Sequence, residues 1–434
     1  LMEGNMNKSF SKAAVDEKNK DCAWLLKRQK DMYVTSGDNR SQFERDYTRI
    51  LHSNSFRRMK HKTQVFFNVE NDHICTRMEH VLHVESVSHS IAQALGLNCE
   101  LTQAIAIGHD LGHTPFGHVG ERILNNLAVN GIVENDETIV KGFSWEHLKN
   151  LNGEAYFWHE RNSLRMVDKL DLLADDTGKE RNLNLTFAVR DGIISHCGEL
   201  KTVALKPRNN KKIDLYGDFI RSGQFEPATW EGCAVKVADK IAYLGRDIED
   251  AIRLKFITAQ DLEELKDIAD ENIVMNTTTL MHRMIVDISR ESSPECGIVL
   301  GDDNKKLIDD VLKFNNLHIY QSSKFLAYKD YCKMILSWIF RNLAVLYDYD
   351  KTIKNIESLP YEILRDSFLD WIYTYTEIDY IPEDKTDKYK RFKNDKIYGK
   401  LENRDVYIQA VIDYISGMTD NYAIKVFKEF ITFE

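Results

Sequence analysis

A mainly α-helical fold is predicted by two features of this chain. Apolar positions recur at helical spacing from about residue 41 to 175 and again from Cys233 onward, and the one long stretch that breaks the pattern, 176–232, alternates short apolar runs with Asp, Asn, Gly and Lys clusters. Composition makes that fold compact: 43% of the 434 residues are hydrophobic, 29% are charged and only 6 are proline, far from the regime of disordered chains. The length allows about three domains or one large helical domain with insertions. A formal net charge of −10 excludes a generally basic nucleic-acid coat.

Residues 1–40 are polar and weakly patterned and read as an N-terminal arm with little core of its own. They lack the apolar stretch of a secretory signal, and no run in the chain approaches the roughly 18 apolar residues of a membrane helix, so a cytoplasmic protein without membrane contact is expected. A main helical core is expected over 41–255, with a loop-rich or small β insertion at about 176–232, followed by a C-terminal helical region over 256–434 that packs on the core and completes its pocket. Within the core, Met78, Val81, Val84, Ile91 and Leu95 share a helix face and Gly96 supplies the stop. Asn98 then caps a second helix that carries Leu101, Ala104, Ile105 and Ile107 into Gly108-His109-Asp110. The 7 cysteines are scattered without a CxxC pair, which excludes a disulfide framework or zinc knuckle and predicts reduced thiols. Aromatic runs such as Trp338-Ile339-Phe340 and Trp371-Ile372-Tyr373 read as core. The basic segment 383–400 interleaves Tyr389, Phe392 and Tyr398, a spacing that suits either a solvated charged face or stacking on a single strand.

Chemistry concentrates between 77 and 121. His80, His83, His89, His109, His113 and His118 all fall there, out of 14 histidines in the chain, together with Asp110 and Glu121. Two antiparallel helices would bring His80, His109 and Asp110 to one point, a nitrogen and oxygen set that suits Mn²⁺, Fe²⁺, Mg²⁺ or Zn²⁺. Pro115 and Gly117 force a turn after the second helix, and His118 with Glu121 three residues on can share a helix face, which is how an imidazole is held as a general acid or base. The plain alternative is a buried His–Glu hydrogen bond. Much further along, Asp239, Tyr243 and Asp247 recur every fourth residue and form a polar stripe, whose carboxylates and phenol could complete a metal site and grip ligand hydroxyls, or simply face solvent.

These residues together resemble the HD-domain metal phosphohydrolases, and among them the dGTPase-like deoxynucleoside triphosphate triphosphohydrolases. The resemblance runs through Phe43 to Ser53, Phe56 to Met59, Lys62 to Val65, Arg77 to His80, His109 to Glu121, Ser163 to Arg165, Ala238 to Asp250 and Asp413 to Asp420. It implies a large helical HD-domain fold and hydrolysis of dGTP or other dNTPs to deoxynucleoside and intact triphosphate. His80, His109, Asp110 and Asp239 match the family's metal ligands, for Mn²⁺ or Mg²⁺ first and for Fe²⁺, Co²⁺, Ni²⁺ or Zn²⁺ as alternatives. His118 and Glu121 match its catalytic pair, and His113 and His159 match further active-site histidines. Arg77 matches a phosphate-binding arginine, Lys206 is a further phosphate contact, and Gln64, Tyr243 and Asp247 match positions that read the deoxyribose. Arg246 stands where relatives carry His and is not counted as a ligand, and His159-Glu160 stands where many bacterial relatives carry His-Asn. The resemblance also implies a homo-oligomer, a tetramer or hexamer, and a dNTP or single-stranded DNA effector. Two other readings compete: a phosphomonoester or cyclic phosphodiester hydrolase of the same type, and a nucleotide or single-strand sensor that has lost turnover.

Overall fold

The computed structural model describes residues 10–31, 37–66, 71, 73–135, 137–148, 156–197, 204–210, 213–268 and 276–432. The first nine residues of the expected arm lie outside the described part. Among the described residues, eighteen α-helices and three two-stranded antiparallel ribbons make up the regular structure, the mainly α fold that the periodicity predicts. The helices that frame the functional residues are α1 (Arg77–Leu95), α2 (Cys99–Gly108), α3 (Gly117–Asn130), α4 (His159–Arg165), α5 (Phe187–Ser195), α6 (Trp230–Arg253), α7 (Thr277–Glu291), α8 (Asp302–Asn315), α9 (Glu362–Tyr375), α10 (Arg404–Ser416) and α11 (Asp420–Glu429). No helix among the described residues is long and apolar enough to cross a membrane.

The chain divides into two compact units that interleave in sequence: residues 1–51, 64–110 and 184–328 form one, and 52–63, 111–183 and 329–434 the other. This differs from the linear succession of arm, core and C-terminal region expected from composition, because long-range packing and not chain order decides which segments share a core. The expected insertion at 176–232 differs too. Its described residues do hold the expected small β elements, Glu180–Asn182 paired with Leu172–Ala174 and Ala204–Leu205 paired with Ile298–Val299, but they also hold the buried helix α5, and the segment is divided between the units.

In the first unit α1 is the central element. Thr76 and Glu79 close a capping box, with the Thr76 hydroxyl accepting from the Glu79 N–H and the Glu79 carboxylate accepting from the Thr76 N–H, and Gly96 ends the helix at φ 80°. Asn98 caps α2 by accepting from the Leu101 N–H at 3.0 Å. Between these caps α1 buries Val81, Val84, Val87 and Ile91 completely and packs on both α2 and α6. The 24-residue α6, about 36 Å long at 1.5 Å per residue, is buried from Glu231 through Ala238 and again at Ile241, Leu244 and Ile248. The described part of the arm contributes anchors to this unit: Phe10 is fully buried edge-on against Trp230, and the buried Glu231 carboxylate accepts the Val15 and Asn98 N–H groups.

The second unit gathers α3, α4 and α9 to α11, the ribbon Ile132–Glu134 with Glu137–Val140, and an aromatic core in which Phe368 packs on Tyr407 and Tyr414. The buried Asp413 carboxylate ties it together, accepting two bonds from Arg165 at 2.7 and 2.6 Å and one from the Tyr398 hydroxyl at 2.9 Å. That contact settles the reading of segment 383–400. Tyr389 and Tyr398 are buried, Tyr389 donates to Asp370, and Lys385, Lys390 and Lys400 pair with Glu357, Asp387 and Asp379. Of the two readings of this segment, stacking on a single strand is not open to Tyr389 and Tyr398, whose rings are spent on the protein's own core, while Lys385, Lys390 and Lys400 form the solvated, paired face that the charge pattern suits.

Candidate metal centre and histidine relay

Three helices of the first unit converge on one donor cluster. His80 comes from the first turn of α1, His109 and Asp110 from the end of α2, and Asp239 from α6. His80 Nε2 lies 3.0 Å from Asp239 Oδ1 and 3.7 Å from Asp110 Oδ2, while His109 Nε2 lies 3.5 Å from Asp110 Oδ1 and 3.8 Å from Asp239 Oδ1. Two donors each about 2.1 Å from one ion sit about 3.0 Å apart at a right angle and about 3.4 Å apart at the tetrahedral angle. The observed separations are of that size.

The tautomer of His109 is set by the backbone. Its Nδ1 donates to the Ala106 carbonyl at 2.6 Å, so Nε2 keeps the lone pair, and this Nε2 is buried with no hydrogen-bond partner among the described residues. A buried acceptor left without a partner costs about 1–3 kcal/mol. Burial, opposed by the nearby Asp110, pushes the His109 pKa down to about 4, which keeps the ring neutral at neutral pH. Burial also pushes the Asp239 carboxyl up, but the hydrogen bond from His80, with the histidines around it, outweighs burial and holds the group below the usual carboxylate range. A neutral His109 imidazole facing the ionised Asp239 carboxylate fits a divalent cation. Arg77 braces the cluster: its Nη1 is 2.6 Å from Asp110 Oδ2 and its Nη2 donates to the Gln64 carbonyl at 3.2 Å, so the residue expected to hold phosphate also orients a candidate ligand.

On the same unit, Tyr243 and Asp247 extend the α6 stripe as expected. Asp247 is buried and not solvated; burial pushes its carboxyl up to about 7, against the opposing hydrogen bond from the Tyr320 hydroxyl. Gln64 Oε1 is buried without a hydrogen-bond partner among the described residues. Lys206, by contrast, is exposed and its Nζ donates to the Glu295 carbonyl, so it does not join the cluster.

The second unit carries the other histidines. His118 Nδ1 is 3.1 Å from Glu121 Oε2 across one turn of α3, and His159, at the start of α4, places its own Nδ1 3.2 Å from the same oxygen. His113 stacks on His159 with ring centroids 4.0 Å apart and meets His118 edge-on at 5.0 Å. Burial alone would raise the Glu121 carboxyl, but the charge of His159 and hydrogen bonds from both histidines hold it well below the ordinary range. The result is a carboxylate, ionised at neutral pH, that orients two imidazoles. One of them, His118, has 64% of its side chain exposed.

A strained turn presents this relay. Phe116 sits in the left-handed region at φ 66°, followed by Gly117 at φ 57°, and only the glycine adopts that conformation without strain. Far along the chain, Asp420 secures the turn by accepting the Phe116 N–H at 2.8 Å with one oxygen and the Thr63 N–H at 2.8 Å with the other, while the buried Lys62 ammonium donates to the His113 and Ser416 carbonyls. The sequence reading missed Asp420 as a positioning group, along with Tyr320 and His196. Only the proximity of Asp420 to the turn in the fold reveals it.

A metal-type donor set at the end of an HD-bearing helix defines the class, that of the HD-domain phosphohydrolases. The HD domain family matches residues 77–244, and the phosphohydrolase-associated domain matches 395–429. A "Deoxyguanosinetriphosphate triphosphohydrolase-like protein" of Caldanaerobacter subterraneus subsp. tengcongensis is 32% identical over 399 residues, covering 90% of this chain and 85% of its own. Proteins of the same description from Pelagibacter ubique and Rickettsia prowazekii are 33% and 30% identical, each over 90% of this chain and over 93% and 91% of their own. The chain belongs to the deoxyguanosinetriphosphate triphosphohydrolase-like family of HD-domain proteins.

Proposed function

We propose that this chain hydrolyses deoxynucleoside triphosphates, dGTP among them, to deoxynucleoside and inorganic triphosphate, using a divalent cation, Mn²⁺ or Mg²⁺, held by His80, His109, Asp110 and Asp239. The observation that carries the reading is the buried, unbonded Nε2 of His109 facing two carboxylates, a donor set that a cation satisfies and a packed core does not need. The name of the relatives supports the substrate class.

When bound, a divalent cation supplies Lewis acidity and charge neutralisation at a phosphate. The protein's own groups account for the rest. Arg77 adds fixed positive charge beside the ligand carboxylates, which a chain of net charge −10 needs in order to attract a polyphosphate. The oxygen of water bonds to the α-phosphorus and gives up its surplus proton to solvent, the bond from phosphorus to the 5′-oxygen breaks, and His118 passes a proton to the departing 5′-oxygen. With Nδ1 held by ionised Glu121, His118 presents Nε2 for that transfer, and the exposed ring can regain its proton from solvent. His113 and His159 contribute phosphate contacts and a second acid–base group. Gln64, Tyr243 and Asp247 read the deoxyribose, and the buried amide oxygen of Gln64 supports that role. Lys206 reaches a phosphate only by leaving the Glu295 carbonyl.

The test incubates the purified chain with each dNTP and with GTP, plus Mn²⁺ or Mg²⁺, and resolves nucleoside and polyphosphate products by chromatography. Deoxynucleoside and tripolyphosphate in equal amounts are expected. Release of orthophosphate or pyrophosphate in place of tripolyphosphate would move the chain to another phosphohydrolase reaction, and nucleotide binding without any product would move it to the sensor reading.

A further inference from the structure

We propose that His196 is a fifth protein donor of the metal centre, delivered by α5 from the segment expected to be a loop-rich insertion. The inference rests on the metal-centre reading above and adds a residue to it. His196 is 1% exposed, its ring meets that of His109 edge-on with centroids 4.8 Å apart, and one ligand atom each from His109, Asp110 and His196 falls within 4.8 Å of the others.

The two histidines are built alike. Each caps the C-terminal end of its helix in right-handed helical conformation, and each turns Nδ1 back onto the carbonyl three residues earlier: His109 onto Ala106 at 2.6 Å and His196 onto Ile193 at 2.7 Å. A carbonyl only accepts, so both rings carry the proton on Nδ1 and the lone pair on Nε2. The helix ends are brought together by reciprocal packing of glycine against isoleucine. A Cβ on Gly108 would meet Ile193 Cδ1 at 2.7 Å, and one on Gly192 would meet Ile105 Cδ1 at 2.6 Å, so the isoleucine side chains would have to shift to admit a larger residue at either place. This packing holds the two helix ends, and the imidazoles they carry, side by side.

His80, His109 and Asp239 form one ligating group, and His109, Asp110 and His196 form another. Both contain His109, whose Nε2 has a single lone pair and binds a single ion. Joined through His109, the two groups would make one centre with three nitrogen and two oxygen donors. Three imidazoles tilt that set toward Fe²⁺, Co²⁺, Ni²⁺ and Zn²⁺ and away from Mg²⁺, which prefers oxygen.

The experiment strips the full-length chain with chelator and titrates it with Co²⁺, following the visible absorption of the ion and its affinity against a competing chelator, with Mg²⁺ affinity measured in parallel. His196→Gln is expected to change the intensity and position of the Co²⁺ bands and to lower Co²⁺ affinity by about tenfold or more, with a smaller effect on Mg²⁺ and an unchanged melting temperature of the metal-free chain. His109→Gln is the control. If it abolishes Co²⁺ binding while His196→Gln leaves spectrum and affinity untouched, the fifth donor is overturned and the four-donor centre stands. If neither variant affects binding, the centre itself is overturned, and the fifth donor with it. Should the glutamine variant not fold, His196→Cys gives an independent readout: a new thiolate-to-Co²⁺ charge-transfer band supports the proposal, and its absence in a folded, Co²⁺-loaded chain overturns it.

Discussion

The donor cluster of the first unit and the histidine relay of the second are three residues apart in the chain, at Asp110 and His113, yet they are built on opposite plans. The cluster is dry: His80, His109 and Asp110 are buried, and the His109 ring is aimed by a backbone carbonyl at the end of a capped helix. The relay keeps His118 in solvent, and its rings are aimed by one side chain, Glu121, behind a turn that Phe116 enters in a strained conformation. Each plan suits the task proposed for it. Holding a cation asks for desolvated donors that need no reorganisation, since low dielectric strengthens every charge contact. Moving a proton asks for a group that exchanges with water and has one preferred orientation.

That contrast predicts separable losses. Asp239→Ala removes a donor at the centre of the dry cluster, so dNTP turnover is expected to fall below detection, with metal content measured on the purified chain falling alongside and the helical circular dichroism signal kept. Normal activity in that variant would remove the metal assignment. His118→Ala should behave differently: kcat is expected to drop by about 10²- to 10⁴-fold, the range for loss of a positioned acid–base group, while metal content stays at the wild-type level. A His118→Ala chain that lost its metal would break the comparison, because the relay would then be part of the ion's own shell.

How far each region could be read from sequence follows the same division. Local signals suffice where neighbours in the chain do the work: Gly96 and Asn98 announce the ends of α1 and α2, and the three-residue spacing of His118 and Glu121 announces a shared helix face. They do not suffice where the partner is distant. Glu121 also holds His159, 38 residues on, and Asp420 secures Phe116 across 304 residues, contacts that no periodicity encodes. His196 lay unnoticed because its segment is rich in turn-forming residues and because its meaning depends on α5 packing on α2. The apolar run ending in Gly192-Ile193-Ile194 just ahead of the histidine was the available signal. At 383–400 the charge was legible but the burial was not, since Asp370 and Asp413 decide where Tyr389 and Tyr398 go.

The smallest expected effect lies within the first unit and sharpens the comparison there. Asp239 and Asp247 sit two turns apart on α6, yet their carboxyls shift in opposite directions: His80 and its neighbours hold Asp239 ionised, while burial lifts Asp247 to about 7 from an ordinary 3.8. A carboxyl raised in the folded state stabilises the fold fully below its unfolded pKa, and that contribution is lost as pH rises through the folded one, so the window runs from about pH 4 to pH 7. For the metal-free chain, the wild-type melting temperature should therefore fall from pH 5 to pH 8 by a few degrees more than that of Asp247→Asn, whose amide cannot ionise. Parallel curves would mean that Asp247 is already charged at pH 5. A steeper wild-type fall would leave a neutral acid beside Tyr320 near pH 7, able to donate to a ligand hydroxyl without placing a second negative charge near a triphosphate.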